Sequence, residues 1–294
     1  MAPTTDTHRL GPVQLPDLAS TPSVWQPWIM PQRDGAIELA TSDVIRARPD
    51  TYGYGMGVGI VLFDEVYPGF PGDVRNASSF KHHVQYDIAD GVTIDRLLFS
   101  GDPLGCVEPV IKSAQRLQRL GCRAIAAECG YFAVLQPAVA DALDVPVFMS
   151  SLLQIPIAQR TISKGKVVGV LVATAGALTD DHLAAVGVDL ASDYIVAGAM
   201  DDGRCPEFEQ LWVESARERL PQASFAKAEA DFLHVAIEFY EANPRMGAMV
   251  LECTGFPPFA RKLQSFIGIP VFSWGTLLDL AYSVVVHPSY AGHV

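Results

Sequence analysis

Positive charge is scarce in this 294-residue chain: 21 Lys and Arg face 33 Asp and Glu, a formal net charge of −12. No basic cluster offsets that balance locally, so nucleic acid is not an expected partner. Long apolar runs are missing too. Stretches such as Val167 to Val172 and Tyr194 to Ala199 fall far short of the roughly 20 residues that cross a bilayer, and the chain reads as soluble. Residues 1–50 have no continuous apolar segment of the signal-peptide kind, so a cytoplasmic location is expected. Cysteine is limited to five residues without regular spacing, which argues for free thiols rather than a disulfide framework. CxxC, HxH and HExxH are absent, and the adjacent His82 and His83 are poorly placed to share an ion, so no metal is expected.

What the chain does have is a motif carried twice. Ala127-Glu128-Cys129 and Leu251-Glu252-Cys253 each end an apolar run. From Cys129 the chain passes Gly130, Tyr131 and Phe132 to Pro146-Val147-Phe148; from Cys253 it passes Thr254, Gly255 and Phe256 to Pro270-Val271-Phe272, at the same separation. Leu143 against Ile267, Val145 against Ile269 and Leu153 against Leu277 keep that register. Upstream, Gly59-Ile60-Val61-Leu62 matches Gly169-Val170-Leu171-Val172 more loosely, with an indel between the halves. The repeating unit is a domain's length, not a solenoid repeat.

Strand and helix signals alternate in each half. Strands are expected over Gly57 to Phe63, Asp95 to Ser100, Ala124 to Ala127 and Val145 to Phe148, with helices over Val107 to Leu120 and near Ala138 to Leu143. In the second half they are expected over Val167 to Ala173, Tyr194 to Ala197 and Ala248 to Glu252, with helices around Asp180 to Val186 and Ala226 to Tyr240. The fold class expected is therefore α/β, with two pseudo-symmetric domains, each a parallel sheet flanked by helices, and the active site in the cleft between them. The divisions are a proline-rich extended arm over 1–52 bearing Trp25 and Trp28, a first domain over 53–160, a second over 161–275, and a segment over 276–294 returning to the first domain. Gly53, Gly55, Gly57 and Gly59 precede the first strand rather than follow it, which argues against a dinucleotide fingerprint.

Parallel sheets bind ligands beyond the carboxyl ends of their strands, where both cysteines would sit. Two thiols on opposite faces of a planar carbanion can remove a proton on one side and deliver one on the other, inverting a stereocentre without a cofactor. The paired cysteines, Leu251-Glu252-Cys253-Thr254-Gly255-Phe256-Pro257 and Val168-Gly169-Val170-Leu171-Val172-Ala173-Thr174 together resemble the cofactor-independent aspartate/glutamate/hydantoin racemase superfamily, over roughly positions 55 to 280. That resemblance implies Cys129 and Cys253 as the acid/base pair, no cofactor, Gly130, Thr174 and Thr254 as substrate-contacting positions, and Asp64 for binding or for tuning Cys129; Tyr131 and Gly255, beside the cysteines, complete the expected substrate-binding set. Two departures argue against glutamate itself. Cys129-Gly130-Tyr131 replaces the usual Cys-Asn-Thr, and Gly255 stands where a histidine is common. Tyr131, Phe132 and Phe256 suggest a more apolar pocket.

Each residue also has an ordinary reading. Cys106, Cys122 and Cys205 are assigned to the core. Glu128 and Glu252 either tune the pH response or make a buried hydrogen bond. Thr174 and Thr254 fit helix caps, Asp64 a loop carboxylate, and Ser150, Ser151 and Ser273 turn chemistry. Trp274 either walls the cleft or fills a subunit contact. The expected function is an isomerase, a racemase or epimerase acting on a small carboxylate as a possible homo-oligomer. The alternatives are a decarboxylase or cis/trans isomerase of a small dicarboxylate, or a binding protein without chemistry.

Overall fold

The computed structural model describes residues 47–290 except 214 and 289. The arm expected over 1–52 lies, but for its end, outside the described residues. The first lobe runs β1 (Val58–Phe63), β2 (Val84–Ala89), α1 (Ile94–Leu98), α2 (Val107–Arg119), β3 (Ala124–Ala127), α3 (Gln136–Asp141), β4 (Val147–Phe148) and α4 (Ile155–Thr161). The second runs β5 (Val167–Val172), α5 (Asp180–Ala185), β6 (Tyr194–Gly198), α6 (Pro206–Trp212), α7 (Phe225–Glu241), β7 (Met246–Leu251), α8 (Pro257–Ile267), β8 (Val271–Phe272) and α9 (Trp274–Val285).

Every strand pairing is parallel. The sheet orders are β2-β1-β3-β4 and β6-β5-β7-β8, so the second sheet is the first one repeated, strand for strand. The two-sheet α/β architecture expected from the sequence is the one the chain adopts. All of β3 and β5 is buried. Strands covered on both faces read as continuous apolar runs, which is why these were the most legible elements. The matched glycines of the central strands share a purpose. A Cβ at Gly59 would lie 2.9 Å from the Leu117 Cβ on α2, and one at Gly169 would lie 2.6 Å from the Met246 Cε. Both positions let neighbouring elements approach the sheet backbone closely.

The strand expected over Asp95 to Ser100 is instead the helix α1. Thr93 caps it by accepting the Arg96 N–H at 3.1 Å, and Ile94 and Leu97, one turn apart, bury the same face. The second strand of the sheet is β2, whose sequence Val-Gln-Tyr-Asp-Ile-Ala is half-buried at the sheet edge and so carries a weak apolar signal. After β8 the chain crosses back, and Trp274, Leu277, Leu278 and Ala281 of α9 form a small core with Val58, Ile60 and Ala126 of the first sheet. Burying each such leucine stabilises by about 1.5–3 kcal/mol. Among the described residues no helix is long and apolar enough to cross a membrane.

Candidate active site

In each lobe the sheet order reverses between its two central strands, and ligands bind at the carboxyl ends of such a switch point. β1 ends at Phe63 and β3 delivers Glu128 and Cys129; β5 ends next to Ala173 and β7 delivers Glu252 and Cys253. The local geometry repeats. The Glu128 N–H donates to Val61 O (3.1 Å) and the Glu252 N–H to Leu171 O (2.9 Å); the Phe132 N–H returns to Cys129 O (3.1 Å) and the Phe256 N–H to Cys253 O (3.2 Å). Both cysteines thus stand at the start of a tight turn, facing one cavity that also receives Tyr131, Thr254 and both glutamates. It offers the centres of water-sized molecules about 40 Å³, the scale of a few waters and hence of a small metabolite.

The lobes are tied together around this cavity. The Tyr131 hydroxyl donates to Thr174 O at 2.7 Å and accepts from the Thr174 N–H at 3.0 Å. Thr254 Oγ1 donates to Glu128 O at 2.7 Å, and Ser151 Oγ to Leu251 O at 2.8 Å. Residues just after each cysteine therefore bond to the opposite lobe.

The two glutamates accept from equivalent amides but have unlike surroundings. Glu128, 2% exposed, accepts the Phe63 N–H at 2.5 Å and a fork from Arg75, Nε at 2.9 Å and the second guanidinium nitrogen at 2.6 Å. Arg75 lies 3.8 Å over the Tyr67 ring and also donates to Glu65 O. Burial pushes the Glu128 carboxyl up, against the opposing pull of Arg75. Glu252, 0% exposed, accepts the Ala173 N–H on Oε2 at 3.1 Å. Its Oε1 has no hydrogen-bond partner, and among the described residues no cation pairs with it. Burial pushes its carboxyl up to about 8, opposed by the Ala173 and Tyr131 amides. Asp73, buried beside Arg75, is pushed up to about 7, first by burial. Both thiols lie well above their ordinary range, through burial first and the Glu252 charge second.

These shifts fix a pH response. Asp73 and Glu252 keep protons in the fold that an unfolded chain releases near pH 4. The folded state therefore binds more protons between about pH 4 and pH 8, and stability falls as pH rises through that window. The urea midpoint is expected to decline from pH 5 to pH 8, and to decline less in Glu252→Gln; a flat wild-type midpoint would contradict the assignment.

Of the positions expected from the sequence, Cys129, Cys253, Tyr131 and Thr254 converge on the cavity. Gly130 lies beneath it, where any side-chain carbon would collide with the Glu252 carboxyl. Gly255 packs against the Trp212 ring. Thr174 contributes its backbone to Tyr131 rather than a side chain to the cavity wall. Asp64 is exposed, and its carboxylate caps the Gly91 N–H at 3.0 Å, because the chain turns outward after β1. Phe132 and Phe256 do not line the cavity: Phe132 stacks behind Phe63 with centroids 5.0 Å apart, and Phe256 joins Phe208 and Phe232 in the core. The apolar wall comes instead from Phe63, Tyr67, Phe99, Met200 and Trp212, none of which carries a local motif. Ser150 and Ser273 cap helical turns. Trp274 is fully buried and donates to the Glu252 carbonyl at 2.6 Å, so it neither walls the cavity nor meets a subunit.

No protein-family profile matches the chain. By sequence it is similar to a dimethylsulfoniopropionate lyase of Durusdinium sp. clade D, 26% identical over 221 residues, covering 73% of this chain and 70% of that protein. It is also similar to dimethylsulfoniopropionate lyase 7 of Emiliania huxleyi (strain CCMP1516), 26% identical over 220 residues, 73% of this chain and 63% of that one. For lyase 5 of the same organism the match reaches 27% identity but 45% of its length, so the chain spans less than two thirds of several of these relatives. These lyases overturn the expectation of a racemase or epimerase, and with it the isomerase class. By structure the chain resembles a glutamate racemase of Bacillus anthracis (TM-score 0.50, 15% identity, 79% of this chain and 82% of that one). It resembles a liganded double mutant of arylmalonate decarboxylase equally (TM-score 0.50, 13% identity, 80% and 94%). The chain thus has the fold of the aspartate/glutamate/hydantoin racemase superfamily.

Proposed function

We propose that this protein is a lyase that expels a neutral sulfide from a small carboxylate bearing a sulfonium group on its β-carbon, as the substrate named for its relatives does. The observation that carries this reading is the pairing of two thiols with a cavity walled by Phe63, Tyr67, Phe99, Tyr131, Trp212 and Met200. A sulfonium taken into such a space gives up its hydration and meets aromatic ring faces, whose quadrupoles attract a cation. Its charge also answers the state of the thiols: a cation beside a buried S–H favours the thiolate, offsetting the burial that holds it neutral.

The chemistry then balances with one base. The thiolate takes a proton from the carbon next to the carboxylate, forming S–H. The C–H electron pair becomes the new C=C bond, and the C–S pair departs with sulfur, which leaves as an uncharged dialkyl sulfide. An unsaturated carboxylate remains. Because the leaving group needs no proton, no second acid takes part, unlike a reaction that must return a proton to the opposite face. Exclusion of water from the cavity protects the carbanion-like transition state from protonation by solvent.

Incubating the full-length protein with dimethylsulfoniopropionate is expected to give acrylate vinyl signals by proton NMR and an equal amount of dimethyl sulfide in the headspace. Absence of both, or release of carbon dioxide from a malonate in their place, would sink the reading.

A further inference from the structure

The duplicated halves leave one chemical difference at the cavity that the elimination scheme does not use. Glu128 and Glu252 occupy equivalent positions and accept equivalent amides, from Phe63 and Ala173. Among the described residues only Glu128 has an arginine. Glu252 has no cation beside it among the described residues; it has no exposed surface, and its Oε1, set against Gly130, lacks a hydrogen-bond partner in the lining of the cavity. We propose that Glu252 is a substrate-binding acid: it stays protonated, and its unpartnered Oε1 donates a hydrogen bond to the carboxylate of the substrate. The identity of that carboxylate rests on the lyase reading; the role of Glu252 as its donor does not.

Three observations support the protonated form. Oε2 already accepts the Ala173 N–H, which leaves Oε1 as the hydroxyl oxygen. An ionised Glu252 would oppose both neighbouring thiolates, since its charge is the second-largest influence raising Cys129 and Cys253; a neutral one lets the base form. The charge balance agrees as well. Arg75 is matched by Glu128, so an ionised Glu252 would make the cavity anionic and repel an incoming carboxylate, whereas a neutral one admits it. The same hydrogen bond strengthens as the substrate carboxylate gains charge during removal of the adjacent proton, so it favours the transition state over the ground state. A carboxylic acid kept neutral by an apolar site to serve as a donor is an established device in enzymes.

The groups that face Glu252 are Cys129 and Tyr131 from the turn after β3 and Cys253 beside it on the second lobe. Asp73 acts on Cys253 from further off and titrates lower, near 7. The Gln variant separates its effect, because it removes the Glu252 proton alone while keeping a donor of the same shape.

The test is calorimetric titration of acrylate and propionate, which cannot eliminate sulfide, into wild type, Glu252→Gln and Glu252→Ala from pH 6 to pH 10. Wild-type affinity is expected to fall about tenfold per pH unit once the carboxyl ionises. Glu252→Gln is expected to lose that fall while keeping low-pH affinity, and Glu252→Ala to bind about 10- to 100-fold more weakly throughout. A protonated-carboxyl infrared band that is present in the wild type, lost in Glu252→Gln and shifted by acrylate gives the same answer. A pH-independent wild-type affinity, a Gln variant as weak as Ala, or no binding of either acid overturns the inference. If these titrations behave as expected but dimethylsulfoniopropionate is not turned over, the lyase reading fails and the assignment of Glu252 stands.

Discussion

Replacing Arg75 by Met is expected to destabilise the fold by about 3–5 kcal/mol, the largest loss expected from any single change near the cavity. Arg75 is itself mostly buried, and its guanidinium forks onto a Glu128 that is shut from water. Removing the cation strands that carboxylate: the Phe63 N–H remains as a donor, but nothing balances the charge. The contact with the Tyr67 ring and the bond to the Glu65 carbonyl are lost as well. Two features distinguish this from a general packing defect. The loss should shrink in acid, because a stranded Glu128 takes up a proton in the folded state, and grow as pH rises above the unfolded carboxyl value near 4. The double variant Arg75→Met/Glu128→Leu should recover most of the stability, since it removes the buried charge along with its partner. Urea melts of the wild type and the two variants at pH 5 and pH 8 decide the matter; a loss below about 1 kcal/mol at pH 8 would mean that Glu128 is already neutral beside Arg75.

The second large effect concerns the thiols. Eliminating a neutral sulfide needs one base, so Cys129→Ser and Cys253→Ser are expected to fall unequally. One should lose about 10³-fold or more in kcat, the range in which a positioned base operates, and the other should stay within about tenfold of wild type. A serine hydroxyl keeps the size and hydrogen-bonding capacity of the side chain but cannot ionise in a buried site, so the difference reports proton transfer rather than packing. The comparison is made on turnover of dimethylsulfoniopropionate with the Glu252 side chain unchanged. Equal losses in both variants would mean that the two thiols share the proton, and the one-base scheme would fall.

What could be seen in the sequence follows from which signals are local. Central strands such as β5 are buried on both faces and announce themselves as unbroken apolar runs. β2, half-buried at an edge, does not, and Asp95 to Ser100 reads as a strand because the helix there, Ile94–Leu98, is too short to display a helical period. The two cysteines were legible because they stand at the ends of duplicated strands. Tyr67, Arg75, Met200 and Trp212 were not, since they reach the cavity from loops and helix ends far apart in the chain, where no spacing rule applies. Glu128 and Glu252 fell between these cases. Their positions were visible in the duplicated Glu-Cys pair, but their difference lies in Arg75, which is joined to one of them only by the fold.

That difference shows what is gained by having both lobes in one polypeptide. Two identical half-size subunits meeting at the same cleft would be bound by symmetry to place an arginine beside both glutamates or beside neither, giving either two paired carboxyls or two unpaired ones. A fused pair escapes that constraint. Each half can be altered on its own, so the cleft can hold one carboxyl group tied to an arginine and one with no cation beside it among the described residues, and a pocket built from two copies of one plan can have a direction.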